Sequence, residues 1–113
     1  MFESLSISAL TSALDGLSER QRAIANNIAN VNTEDYHARR IRFEDALRDS
    51  IERGDGRIET TTEYSQEPTQ QNGNNVNLDT ETLSNIDTVL RYQFAANAVG
   101  GSFSSVRTAL RTN

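Results

Sequence analysis

Between Ile7 and Val31, apolar residues recur at spacings of three and four: Ile7, Leu10, Leu14, Leu17, Ile24, Ile28 and Val31. Only Gln21 interrupts the series. A stripe sustained over more than three heptads fits a long helix packed in coiled-coil fashion and little else. A helix from about Phe2 to Asn30 would be roughly 45 Å long at ~1.5 Å per residue. Gly16 weakens such a helix by about 1 kcal/mol relative to alanine without ending it.

The far end of the chain repeats the pattern through Val89, Tyr92, Ala96, Val99, Phe103, Val106 and Leu110. Leu83, Ile86 and Leu90 lie beside this second stripe and widen its apolar face toward the helix start. Asp79 or Thr80 can cap the amino end, and the order of Glu81 and Asp87 before Arg107 and Arg111 complements the helix dipole. Gly100-Gly101 marks either a kink or a close helix–helix approach.

Composition shifts between the two stripes. Phe43, Leu47 and Ile51 are spaced for a short helix over about 43–53, which Gly54-Asp55-Gly56 stops. Residues 57–65 alternate, with Ile58, Thr60, Thr62 and Tyr64 on one side, which predicts a weak strand. Residues 66–77 are mainly Gln, Asn, Thr and Gly with the single proline, the composition of a flexible loop. The expected fold is therefore mainly α. Long N- and C-terminal helices pair as an antiparallel, coiled-coil-like hairpin around a short, partly flexible middle. The expected divisions are 1–33, 34–77 and 78–113. The termini should be marginal in the free chain and firm in an assembly.

The composition excludes much chemistry. All 11 basic residues are arginine, and there is no cysteine and one histidine. Schiff-base lysine, thiol nucleophile, disulfide framework and cysteine–zinc site are thereby removed. His37 cannot build a metal cluster or a His-based triad within one chain and reads as a loop residue. Asp55 between glycines lacks the ligand spacing of a calcium loop. Glu34/Asp35 and Glu44/Asp45 read as caps or first-turn acids, and Arg39, Arg40 and Arg42 as a solvated face or a contact for an acidic partner. A net charge of -5 argues against a nucleic-acid partner. No run of ~18 apolar residues exists to span a membrane. Glu3 and the serines that follow it do not make a cleavable signal peptide. The expectation is a protein without catalytic, cofactor or metal residues and without a small-molecule substrate.

One segment is unusual for a helix end. In 25–33, asparagines stand at Asn26, Asn27, Asn30 and Asn32, where helix propensity disfavours them. Asparagine suits such a place if its amide pairs donor and acceptor with neighbouring backbones. Either the helix frays into an Asn-rich turn, or the asparagines form a packed polar junction between subunits beside Ile24, Ile28 and Val31.

The run Ala25-Asn-Asn-Ile-Ala-Asn-Val-Asn-Thr-Glu-Asp-Tyr36 resembles the amino-terminal signature of bacterial flagellar axial proteins. Tyr36-x-Ala38-Arg39 and Phe43-Glu44-x-x-Leu47 narrow the likeness to the proximal rod. Gly73-Asn74-Asn75-Val76-Asn77-Leu78-Asp79-x-Glu81 and Leu90-Arg91-Tyr92-Gln93 are similar to the FlgB family, as is the pattern from Phe103 to Arg111. The chain departs from that family in carrying Asp35 where glycine usually precedes the tyrosine in a left-handed turn, and in its shorter middle.

The resemblance implies a structural subunit of the flagellar basal body, in the periplasmic proximal rod. Its terminal helices would pack with other axial proteins and transmit torque from motor to hook and filament. It further implies export through the flagellar type III apparatus without signal cleavage. The implied neighbours are other rod proteins, a FliE-type adaptor, the membrane ring and the export gate. The rival readings are the companion proximal rod protein FlgC, against which the motifs at 90–93 and 103–111 speak, and a cytoplasmic coiled-coil adaptor or chaperone. A small hydrolase is remote.

Overall fold

The structure is a computed structural model that describes residues 2–111, with side chains described over 4–101 and at 108. Two long helices frame it: α1 over Phe2–Ala29 and, after the middle segment, α3 over Leu78–Arg111. They pack against each other as an antiparallel pair. Between them come β1 (Arg39–Arg42), α2 (Glu44–Arg53) and β2 (Thr61–Tyr64). The molecule spans 67 × 26 × 15 Å, a flat rod. The mainly α hairpin expected from the two stripes is the fold observed, and among the described residues no helix is long and apolar enough to cross a membrane.

Helix α2 ends in a left-handed Gly54 (φ 92°), whose N–H donates to the carbonyls of Ser50 and Ile51. This is a common way to satisfy the last carbonyls of a helix. The predicted strand over 57–65 exists in part, as β2. Its partner was not foreseen: the arginine run forms β1, antiparallel to β2 with Arg39 opposite Tyr64 and Arg42 opposite Thr61. Within β1 only Ile41 is buried, while Arg39 and Arg42 are exposed. The solvated-face reading therefore holds for two of the three arginines but not for the element they build.

The apolar core lies where this hairpin and α2 meet the middle of α1. Leu17, Ala23, Ile41 and Phe43 are buried there, with Ala13, Leu47 and Ile58 packed around them. Gly16 is essential to this contact rather than merely tolerated. A Cβ at residue 16 would stand 2.7 Å from atoms of the Phe43 ring, so only glycine lets the ring lie on the helix. From the other side the Arg20 guanidinium stacks 4.7 Å from the ring centroid. That guanidinium also donates to the Ile41 carbonyl (2.7 Å) and to Glu44 (2.9 Å).

Helix α3 departs most from expectation. Toward α1 it turns Glu81, Thr88 and Ala95, all buried at heptad spacing, with Val89, Ala96 and Val99 half-buried beside them. Leu83, Ile86 and Leu90 do not widen that face. Together with Phe94 they lie about half a turn away and are exposed. The helix packs on α1 through polar and small residues, which allow close approach, and leaves its large apolar side chains outside. Gly100 and Gly101 lie within an unbroken helix and neither makes a close approach: nothing stands within 4 Å of a Cβ built at either.

Candidate functional site

The Asn-rich end of α1 becomes a junction at which four segments meet: the end of α1, the turn over 30–38, the loop over 65–77 and the start of α3. Asn27 is fully buried and its amide is completely paired. Its Nδ2 donates to the Arg39 carbonyl (3.0 Å) and to Glu81 Oε2 (3.1 Å). Its Oδ1 accepts from the Arg39 N–H (2.9 Å) and the Tyr36 hydroxyl (3.2 Å). Glu81 is itself fully buried and receives Arg40 at 2.6 Å. Glu67 stands 3.5 Å from the same guanidinium, a charge contact too long for a strong hydrogen bond.

Asn74 and Asn75 repeat the device on the facing loop. Asn74 Nδ2 donates to the carbonyls of Asn30 and Thr33, both at 2.8 Å, while its Oδ1 accepts from the Val76 N–H. Those carbonyls belong to the turn that follows α1. Asn75 Nδ2 donates to the carbonyls of Ser65 and Glu67, and its Oδ1 accepts from the Ala38 N–H at 2.7 Å. The Asn75 N–H donates to the Tyr36 carbonyl. Three buried primary amides thus stand in for the backbone partners that irregular chain lacks, and buried polar groups that are fully paired fix one arrangement.

The segment over 66–77 is pinned at its far end, where Asn74, Asn75 and Val76 are buried and hydrogen-bonded, while Gln66 and residues 68–72 are exposed. Every polar atom of the Asn27 side chain is paired inside the chain. Of the remaining asparagines, Asn26 and Asn32 are exposed, and half-buried Asn30 caps its own turn through Asn26 and Thr33. Neither Asp79 nor Thr80 caps α3. Asn77 does, its Oδ1 accepting from the N–H groups of both. Asp35 takes the left-handed turn (φ 59°), as its place in the pattern required, and no helix begins there. Glu44 and Asp45 do open α2.

The expected packing residues fall on both sides of the surface. Leu17 and Ile24 are buried, Ile7, Leu10, Leu14, Val31, Val89, Ala96 and Val99 are half-buried, and Ile28 and Tyr92 are exposed. The side chains of Phe103, Val106 and Leu110 lie outside the described residues. Leu78, Asp79, Arg91 and Gln93 are exposed, and Arg91 pairs with Asp87 one turn earlier at 2.9 Å. Sequence reasoning missed Glu81 as the buried centre of the junction, and with it Arg40. The only available signal was an acid set one heptad before Thr88 on a face otherwise lined with small residues.

Little here suits catalysis. His37 is exposed in a loop, and among the described residues no group of three or more His, Cys, Asp or Glu could hold a metal ion. A cleft of about 750 Å³ between the hairpin, α1 and α3 is lined among others by Arg20, Arg40 and Arg42, each already paired with a carboxylate. Glu44 at its edge is governed by opposed influences: burial alone raises its pKa, but hydrogen bonds from Arg20 and from the N–H groups of Glu44 and Phe43, with the Arg20 charge, hold it below 4.5.

The same residues recur in known proteins. Residues 7–37 match the model of the family described as flagella basal body rod protein. Over 115 residues the chain is 32% identical to the flagellar basal body rod protein FlgB of Bacillus subtilis (strain 168), an alignment covering 89% of each chain. Likeness at that level over nearly the whole length, with the signature segment folded into the α1–α3 junction, shows that the chain belongs to the FlgB family of flagellar basal body rod proteins.

Proposed function

We propose that this chain is a structural subunit of the proximal rod, in the position of FlgB rather than FlgC, and that it transmits torque by packing with other axial proteins. The observation that carries the reading is the junction. Asn27, Tyr36, Asn74, Asn75 and Glu81, which carry the family likeness, meet in this junction, where the Asn27–Glu81 contact ties α1 to α3 and the others hold the turn and loop around it. A load-bearing subunit needs that rigidity, and a catalyst would need side chains left free. On this reading the half-buried seam of Ile7, Leu10, Leu14, Val89, Ala96 and Val99 is completed by neighbours. Those neighbours are other rod proteins, a FliE-type adaptor, the membrane ring and the export gate, reached by export without signal cleavage.

The chain contains no cysteine, so a single one at exposed Asn32 gives a clean cross-linking probe. In cells of the producing bacterium, Asn32→Cys is expected to bridge rod, ring or export-gate proteins in the envelope fraction. Bridging in the cytosol to one unrelated protein would overturn the rod reading in favour of an adaptor. As a second arm, Leu14→Asp or Val99→Asp is expected to abolish assembly while leaving a folded monomer. Normal swimming by either variant would remove the seam from the account.

A further inference from the structure

Asparagine is a thermolabile residue, and among the asparagines of this chain only Asn72 precedes a glycine. Such a pair can lose the side-chain amide without a catalyst. The backbone nitrogen of the glycine gives up its proton to water and attacks Cγ of the asparagine. The bond from Cγ to Nδ2 breaks, ammonia leaves and a five-membered imide remains. Water then opens the ring at either carbonyl. One opening gives aspartate, and the other gives isoaspartate, in which the main chain runs through the former side chain. Glycine favours the attack because it carries no side chain to obstruct its nitrogen. Asn72 is exposed, and its leaving Nδ2 makes no hydrogen bond among the described residues.

The folded chain holds these reacting atoms apart. The Gly73 N–H donates to the Gln70 carbonyl at 2.9 Å, and the Gln70 N–H donates to the Asn74 carbonyl at 2.8 Å. Neither Gln71 nor Asn72 has a positive φ, whereas Gly73 does, at 82°. This is a type I turn closed by a left-handed glycine, and ψ at its second central residue, Asn72, lies near about 0°. At that ψ the Gly73 nitrogen eclipses the Asn72 nitrogen, about 120° around the Cα–C bond from Cβ. Ring closure requires it to eclipse Cβ instead. Two further bonds fix the geometry. Asn72 Oδ1 accepts from the Asn74 N–H at 3.1 Å, and the Asn72 carbonyl accepts from the Asp35 N–H at 2.9 Å.

We propose that Asn72–Gly73 is a covalent modification site that reacts while the chain is open and is protected once the junction closes. The product matters because the same residues hold the loop. Isoaspartate adds a methylene to the main chain before Gly73 and turns the carbonyl that accepts from Asp35 into a carboxylate off the backbone. Gly73 has no room to shift, since a Cβ there would already overlap the Asp35 carboxylate. Asn74 follows directly and ties the loop to the Asn30 and Thr33 carbonyls. Isoaspartate at residue 72 therefore prevents closure, whereas aspartate keeps the main chain and an acceptor for the Asn74 N–H. A chain that stays open thus loses, with time, the ability to form the junction. None of this depends on what the folded chain assembles with.

The test uses full-length protein in one mildly alkaline buffer, with and without guanidinium chloride. No arginine lies between Arg57 and Arg91, so trypsin releases Ile58 to Arg91 as one peptide. Fragmentation in the mass spectrometer then locates the change from amide to acid. The unfolded chain is expected to react at Asn72 before any other asparagine. The native chain should react at least about tenfold more slowly, at a rate set by local opening of the loop. Gly73→Ala should slow the reaction in denaturant, where its effect on the fold plays no part. Equal rates with and without denaturant would overturn the protection, and first reaction at another asparagine would overturn the site.

A second measurement reads the consequence. The isoaspartyl fraction, separated by chromatography and returned to native buffer, should melt below wild type and exchange its Asp35 amide faster. Asn72→Asp should keep both properties close to wild type. An isoaspartyl chain that melts and exchanges like wild type would overturn the coupling to the junction. An equal loss in Asn72→Asp would assign the effect to charge beside Asp35 and overturn the main-chain account.

Discussion

Asn27 and Glu81 are 54 residues apart in the chain and meet at 3.1 Å with neither side chain exposed to water. This contact joins the last turns of α1 to the first turn of α3. It is also the point from which Tyr36, Arg39 and Arg40 are held. Removing either side chain leaves buried polar groups without partners, which costs more than the bond itself contributes.

Asn27→Ala is therefore expected to destabilise the chain by about 2–3 kcal/mol, since it strands the Arg39 N–H, the Tyr36 hydroxyl and one Glu81 oxygen. Chemical denaturation followed by circular dichroism measures this. A cycle with Glu81→Gln should give a coupling of about 1 kcal/mol, as expected for groups in direct contact. Additive losses would show that the two residues act separately.

Two glycines in helices should respond in opposite directions to alanine. Gly16→Ala forces a methyl group onto the Phe43 ring and is expected to cost about 1–3 kcal/mol despite the better helix former. Gly100→Ala meets nothing within 4 Å and should stabilise by about 0.5–1 kcal/mol. Thermal melts of the two proteins side by side decide the matter. A stabilised Gly16→Ala would refute the Phe43 contact.

At the turn before Tyr36, Asp35 and Gly73 are both left-handed (φ 59° and 82°) and face each other closely. A Cβ on residue 73 would overlap the Asp35 carboxylate. Gly73→Ala should lose about 2 kcal/mol through strain and overlap together, whereas Asp35→Gly should be neutral or gain up to about 1 kcal/mol. Hydrogen exchange at the Asp35 amide, which donates to the Asn72 carbonyl, reports the local effect.

Glu44 predicts an acid response. Burial alone would raise its pKa, but Arg20 and the backbone N–H groups of Glu44 and Phe43 together lower it in the folded chain. A lowered carboxylate pKa contributes stability above the unfolded value, and that contribution is lost as pH falls through about 4.5 and below. Melting temperature should therefore drop less on acidification in Glu44→Gln than in wild type. The difference should be modest, because the Glu44 side chain is 46% exposed. Equal drops in both proteins would exclude the ion pair as the cause.

The sequence made the two helices plain because each runs long enough for its period to outweigh local propensity. Helix α1 ends within one residue of the position its apolar spacing predicts. The short elements were harder. In Arg39–Arg42 one apolar residue among three arginines makes a strand only because Thr61–Tyr64 supplies a partner some twenty residues later, and no local pattern carries that. The loop over 66–77 has the composition of disorder, yet Asn74 and Asn75 order it by bonding to backbone far away in sequence. The inner face of α3 was misjudged for the converse reason. Periodicity locates an apolar stripe but does not say whether the stripe faces its own chain, and here a buried Glu81 takes the inside while Leu83, Ile86, Leu90 and Phe94 take the outside.

All three buried asparagines lie at the same end of the α1–α3 pair, where α1 finishes and α3 begins. Mechanically that end is a clamped base: a force that spreads the two helices bends them about it. Their separation there is held by the buried Asn27–Glu81 contact, which the amides of Asn74 and Asn75 brace from the loop beside it.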